Sequence, residues 1–122
     1  MEQNRGPGDP AGDVVDWTEA LKAVQGNPQL LRIVVEAALD ELPRLLTALR
    51  QAADQGDATR LRLTAHTLKG SLRYFGKTGA FEHVCVLEKM GQEHNLAGVA
   101  ERLAALEEAA TRITASLAGY LT

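Results

Sequence analysis

A chain of 122 residues, 45% hydrophobic but only 4% aromatic, describes a single domain with an aliphatic core. Its net charge of −3 is dispersed and leaves no basic stripe, which argues against nucleic acid as a partner. Cys85 is the only cysteine, so an internal disulfide is excluded and a reducing compartment is expected.

Residues 1–14 hold prolines, glycines and scattered charges and read as a disordered leader or linker, without the apolar run of a secretory signal. A short first helix is expected at about Asp16 to Val24, capped by Asp16 and stopped by Gly26. Asn27 then caps a long second helix with Pro28 at its first position. Its apolar stripe is Leu31, Val35, Ala38, Leu42, Leu45, Leu49 and Ala52, and Pro43 inside it predicts a kink. Gly56 ends it and Asp57 caps the third helix, whose stripe of Leu61, Ala65, Leu68, Leu72 and Phe75 runs to Gly76.

A fourth helix, from about Thr78 to Gln92, carries Ala80, Val84, Leu87 and Gly91 in phase. A fifth, from about Leu96 to Leu121, carries Val99, Leu103, Leu106, Ala110, Ile113 and Leu117. No segment alternates with period two. The expected fold is all-α, an antiparallel four-helix bundle with the short first helix as a lid. No stretch approaches the roughly eighteen apolar residues of a membrane span, and a soluble, cytoplasmic monomer is expected.

One segment of the third helix, AHTLKGSLRYFG, carries chemistry. His66 lies roughly 140° from the centre of the apolar stripe, and Gly70, Arg73, Tyr74 and Lys77 share its outward side. Lys69, at i+3 from His66, sits on the flank. Glycine within a helix costs about 1 kcal/mol relative to alanine, so Gly70 calls for a gain elsewhere. A neutral imidazole is a good nucleophile near neutral pH. A phosphoryl group arriving on it needs a cation beside it and an unobstructed approach, which Lys69 and Gly70 can provide. A solvated histidine is the plainer reading of the same spacing. Lys77, midway in sequence between His66 and Glu88, marks the turn between the third and fourth helices, so Glu88 is expected level with His66. Following the core residue Leu87, it can accept a hydrogen bond from Nδ1 or serve as an ordinary surface carboxylate paired with Lys69.

The string His66-Thr67-Leu68-Lys69-Gly70-Ser71, with Gly76 after it, resembles the signature of histidine-containing phosphotransfer (HPt) domains. The resemblance runs from about Asp16 to Leu117 and includes the Gly56-Asp57 turn and the segment VCVLEKM. It implies that His66 accepts a phosphoryl group from a receiver-domain aspartate, or from a kinase, and relays it to another receiver. It further implies Lys69 as the phosphate's cation, Gly70 as the gap for the partner, and Glu88 as the hydrogen-bond acceptor of the histidine. Arg62, Arg73, Tyr74 and Lys77 are expected at the partner interface, with Ser71 and Gly76 structural. The chain departs from the family in carrying Leu72, Arg73 and Tyr74 where small or polar residues are common. No cofactor is expected on this chain, Mg²⁺ coming with the receiver, and a hybrid histidine kinase is the expected further partner. Two rivals stand beside this reading: a helical adaptor that binds receivers without transfer, and a metal site of His66, His83, His94 and Cys85. The spacings of the latter match no usual ligand pattern.

Overall fold

Among the described residues, four of the five α-helices begin where a short polar side chain closes the first turn. The structure, a computed structural model, describes residues 15–122; the leader expected over residues 1–14 lies outside the described residues. Asp16 accepts from the Glu19 backbone N–H at 3.0 Å and opens α1 (Trp17–Ala23). Asn27 accepts from Gln29 and Leu30 at 3.0 and 3.1 Å and opens α2 (Pro28–Asp54), which continues through Pro43 as one helix. Asp57 caps α3 (Ala58–Leu72), and Thr78, itself buried, caps α4 (Gly79–Gln92). Each such cap satisfies a backbone donor that the helix cannot satisfy itself, worth about 1 kcal/mol.

Two boundaries differ from the sequence expectation. The third helix was expected to remain α-helical to Phe75, but Arg73–Phe75 forms a 3₁₀ turn. Gly76 follows at φ +91° with its N–H on the Arg73 carbonyl at 3.3 Å, so the chain tightens before it reverses. The fifth helix, α5 (Val99–Leu121), starts later than Leu96. The left-handed Gly98, at φ +80°, breaks the helical path just before it.

α2 packs on α3 and α5, and α4 on α3 and α5, which closes the four-helix ring. The predicted stripes face its centre: Leu61, Leu68, Leu72 and Phe75 of the third segment are fully buried, as are Val84 and Leu87 of α4 and Leu103, Leu106, Ile113 and Leu117 of α5. Burial of one such leucine stabilises by about 1.5–3 kcal/mol. Leu45 and Val99 are only half-buried, at the margins of their stripes. Among the described residues there is no strand, and no helix is long and apolar enough to cross a membrane.

α1 lies across one end of this ring. The Asp16 N–H donates to the Phe75 carbonyl at 2.9 Å. Trp17 meets Phe75 edge-on, with ring centroids 6.3 Å apart, and stacks on Tyr120 at 4.6 Å. Gly76 makes this docking possible, because a Cβ there would stand 2.7 Å from the Asp16 Cβ. At the other end of the α3–α4 hairpin, a Cβ on Gly91 would stand 2.7 Å from both the Ala58 carbonyl oxygen and the Arg62 nitrogen. The approach at Gly91 lies between α4 and α3 and fixes the hairpin's register.

Candidate functional site

That register brings the middle of α4 beside the middle of α3. Glu88 follows the buried Leu87 and points along the seam, with its side chain 19% exposed. Its Oε2 lies 2.7 Å from His66 Nδ1 and its Oε1 lies 2.6 Å from Lys69 Nζ. Of the two roles expected for Glu88, partner of the imidazole and partner of the lysine, the structure contains both at once.

The electrostatics fix the direction of these bonds. Burial pushes the Glu88 carboxyl upward, but the hydrogen bonds from Lys69 and His66 and their charges outweigh it and leave the group below its ordinary 4.5. An ionised carboxylate can only accept, so Nδ1–H is the donor, and in the neutral ring the lone pair then lies on Nε2. The His66 side chain is 68% exposed, and Nε2 has no partner among the described residues. In its neutral form, an imidazole so oriented can attack an electrophile brought by another molecule.

Gly70 lies one turn further along the same face. A Cβ built there would meet nothing within 4 Å. Close helix packing, the usual reason for a mid-helix glycine, therefore does not apply at this position, in contrast to Gly91.

The remaining predicted residues divide. Arg73, Tyr74 and Lys77 are exposed beyond Gly70, and Arg62, half-buried, lies one turn before His66. Ser71 faces away from Glu88; its hydroxyl donates to Glu41 Oε1 at 2.6 Å and ties α3 to α2. Gly76 shapes the turn under α1. His66, His83, His94 and Cys85 do not converge: His83 Nδ1 lies 3.0 Å from an Arg102 nitrogen, and His94 sits in the α4–α5 connection at φ +53°. No group of three metal-ligating side chains gathers among the described residues. Sequence reasoning passed over Leu63, 53% exposed one turn before His66. Its phase, opposite the apolar stripe, was the available signal.

Comparison with known proteins bears on the whole arrangement. Residues 33–116 match the family model for the Hpt domain. Among solved structures, histidine-containing phosphotransfer protein B (HptB) from Pseudomonas aeruginosa PAO1 superposes with a TM-score of 0.79, covering 86% of this chain and 91% of that one. The two are 18% identical, so that likeness speaks for the fold. No curated protein matches the sequence. The family match runs from within α2 to within α5 and takes in both His66 and Glu88, and the chain belongs to the Hpt domain family, the histidine phosphotransfer domains of phosphorelays.

Proposed function

We propose that His66 is the phospho-acceptor, taking a phosphoryl group from the aspartate of a receiver domain and passing it to a second receiver. The observation that carries this reading is the bidentate use of Glu88, which holds Nδ1 with its proton and leaves Nε2 exposed. In the step, the Nε2 lone pair attacks the phosphorus of the partner's aspartyl phosphate. The bond from phosphorus to the aspartate oxygen breaks, and the carboxylate leaves with its electron pair. Positive charge develops on the imidazole and is balanced by the Glu88 carboxylate through Nδ1–H. Return transfer is the same path reversed.

Lys69 neutralises the transferred group. Before transfer its ammonium rests on Glu88 at 2.6 Å, the same carboxylate that holds the imidazole. Gly70 leaves room for the donor's backbone. The receiver brings the aspartate and Mg²⁺, so this chain works as a carrier with no nucleotide chemistry of its own, a cytoplasmic monomer between a hybrid histidine kinase and a response regulator.

The test is to mix the protein with a panel of phosphorylated receivers and look for acid-labile, base-stable phosphate on it. Labelling is expected on the wild-type chain and absent from His66→Gln. Unchanged labelling of that variant, or no labelling by any receiver or kinase, sinks the reading. A variant that binds receivers and signals normally without His66 would make the domain an adaptor.

A further inference from the structure

Of the two boundaries where the structure leaves the sequence periodicity, one follows directly on the helix that carries His66. Leu68, Leu72 and Phe75 keep α-helical phase, and Arg-Tyr-Phe contains no glycine or proline to stop a helix. The segment is nevertheless a 3₁₀ turn. A 3₁₀ turn advances about 120° per residue and an α-helix about 100°. Arg73 and Tyr74 are therefore turned away from the positions that a continued α-helix would give them beyond Gly70.

What holds the turn comes from outside α3. The last carbonyls of a helix have no donor within it, and at Phe75 the donor is the Asp16 N–H, at 2.9 Å. The Phe75 side chain is fully buried, with the Trp17 ring edge-on against it at 6.3 Å between centroids. Two consecutive residues at the head of α1 thus hold Phe75 by its backbone and by its ring. Tyr120 of α5, stacked at 4.6 Å, holds Trp17 in its turn. α1 also borders Arg73 from both of its ends. Ala23 lines a hollow of about 260 Å³ with Gly70, Arg73 and Tyr74, and Asp16 and Glu19 line one of about 450 Å³ with Arg73 and Lys77.

α1 owes its own shape to this docking. It has seven residues, and isolated helices shorter than about 12–15 residues are marginal in water. Its link to α2 runs through Gln25 at φ +58° and Gly26 at φ +76°. Glycine enters that region freely, whereas glutamine does so rarely. Such a joint persists only where its surroundings hold it, here the Phe75 contacts on one side and the Asn27 cap of α2 on the other.

We propose that Trp17 is a positioning residue for phosphotransfer. By holding Phe75 it selects the 3₁₀ form of Arg73–Phe75, and so fixes where Arg73 and Tyr74 stand beside the phospho-acceptor. Released from α1, the segment continues α3 as the α-helix that its periodicity specifies, and both side chains rotate by roughly 20° per residue. α1 is then a latch on the turn and acts on the partner's fit, leaving the imidazole as it is. The proposal rests on the phospho-acceptor reading and adds to it a residue remote from His66 in sequence.

The experiment uses the full chain with Trp17→Ala, Trp17→Phe or Tyr120→Ala, the last of which loosens Trp17 from α5. Circular dichroism and melting temperature check the fold, and Tyr120→Ala carries the test if Trp17→Ala does not fold. Two donors are used: a phosphorylated receiver, and phosphoramidate, a small donor that needs no docking. Trp17→Ala is expected to raise KM for the receiver about threefold to tenfold at unchanged kcat. Labelling of His66 by phosphoramidate should stay at the wild-type rate. Tyr120→Ala should shift KM the same way by less, and Trp17→Phe, which keeps a ring against Phe75, should transfer within about twofold of wild type. In a chain already carrying Arg73→Ala and Tyr74→Ala, Trp17→Ala should change KM no further, because the residues it acts through are gone. Nuclear Overhauser contacts across residues 71–76 of Trp17→Ala should change from the i,i+2 pattern of a 3₁₀ turn to the i,i+4 pattern of an α-helix. An unchanged pattern, or an equal rise in KM on the doubly substituted background, overturns the proposal while leaving the relay intact. An equal loss with phosphoramidate also overturns it, since α1 would then act on His66 itself. If neither donor labels wild-type His66, the phospho-acceptor reading fails and the positioning role falls with it.

Discussion

Two of the bundle's seams pair a carboxylate with a basic side chain on the facing helix, and they use it differently. Between α2 and α5, Glu107 gives one oxygen to each of two Arg50 nitrogens, at 2.5 and 3.2 Å. That bond raises the affinity of Arg50 for its proton, against a smaller effect of burial. Both partners of this planar fork come from Arg50 and Glu107 alone, and the seam is closed. Between α3 and α4, Glu88 divides its oxygens between two residues, one of which, His66, has a second ring nitrogen that stays exposed. The same chemistry thus yields a clasp in one seam and a poised nucleophile in the other. What separates them is whether the basic side chain keeps a nitrogen that can carry a lone pair, which imidazole does and guanidinium does not.

The sharpest way to break this comparison is to remove that atom. His66→Gln should lose all receiver-dependent phosphorylation, read as acid-labile phosphate, while its melting temperature stays within a degree or two, since the side chain is 68% exposed.

Glu88→Gln comes next. The amide oxygen can still accept from Nδ1, but it brings no charge to balance the imidazolium. Replacing a charge-assisted bond worth about 1.5–3 kcal/mol by a neutral one should slow transfer roughly 10- to 100-fold in single-turnover measurements. The same variant has a signature in acid. Because the folded-state pKa of Glu88 is depressed, the group adds stability at pH above its unfolded value and loses it as pH falls through the folded one. Melts from about pH 7 to pH 3 should show a shallower acid loss in Glu88→Gln than in wild type. Equal slopes would mean that Glu88 is not held in the seam in solution.

The sequence foreshadowed this pair for a definite reason: a helical hairpin is nearly one-dimensional. Once Gly76 and Lys77 mark the turn, residues equidistant from it share a height, and periodicity says which edge they occupy. Lys69 was placed on the flank by the same reasoning, yet its tie to Glu88 stood only as an alternative to the histidine bond. Choosing between them requires side-chain rotamers, and periodicity carries none. The 3₁₀ turn at Arg73–Phe75 was hidden likewise, since a residue at i+3 is apolar-compatible in either helix type. The docking of α1 depends on Trp17, Phe75 and Tyr120, which are remote in sequence and meet only when the bundle closes.

Two glycines of the hairpin, Gly91 and Gly70, sharpen the contrast between surface for the fold and surface for a partner. Gly91→Ala places a methyl against the Ala58 carbonyl and the Arg62 nitrogen and should destabilise by about 1–3 kcal/mol in denaturant titration. Gly70→Gln places its side chain in open space and should stabilise by up to about 1 kcal/mol, because glutamine is the better helix former. Its receiver-dependent transfer should nevertheless fall, with labelling by phosphoramidate less affected. A Gly70 variant that transfers normally would return that glycine to the background of the helix.

The smallest expected effect belongs to the closed seam. Arg50 and Glu107 are well solvated, with side chains 39% and 38% exposed, and ion pairs in such positions contribute about 0–1 kcal/mol once solvent screening is counted. Arg50→Ala should therefore lower stability by less than about 1 kcal/mol, and its difference from wild type should shrink at high salt, where the wild-type pair is screened. Phosphotransfer should be unchanged, because neither residue lies on the α3–α4 seam. If Arg50→Ala slowed transfer while leaving stability alone, the α2–α5 seam would have to act on His66 through the core. The contrast between clasp and nucleophile would then fail at its simpler end.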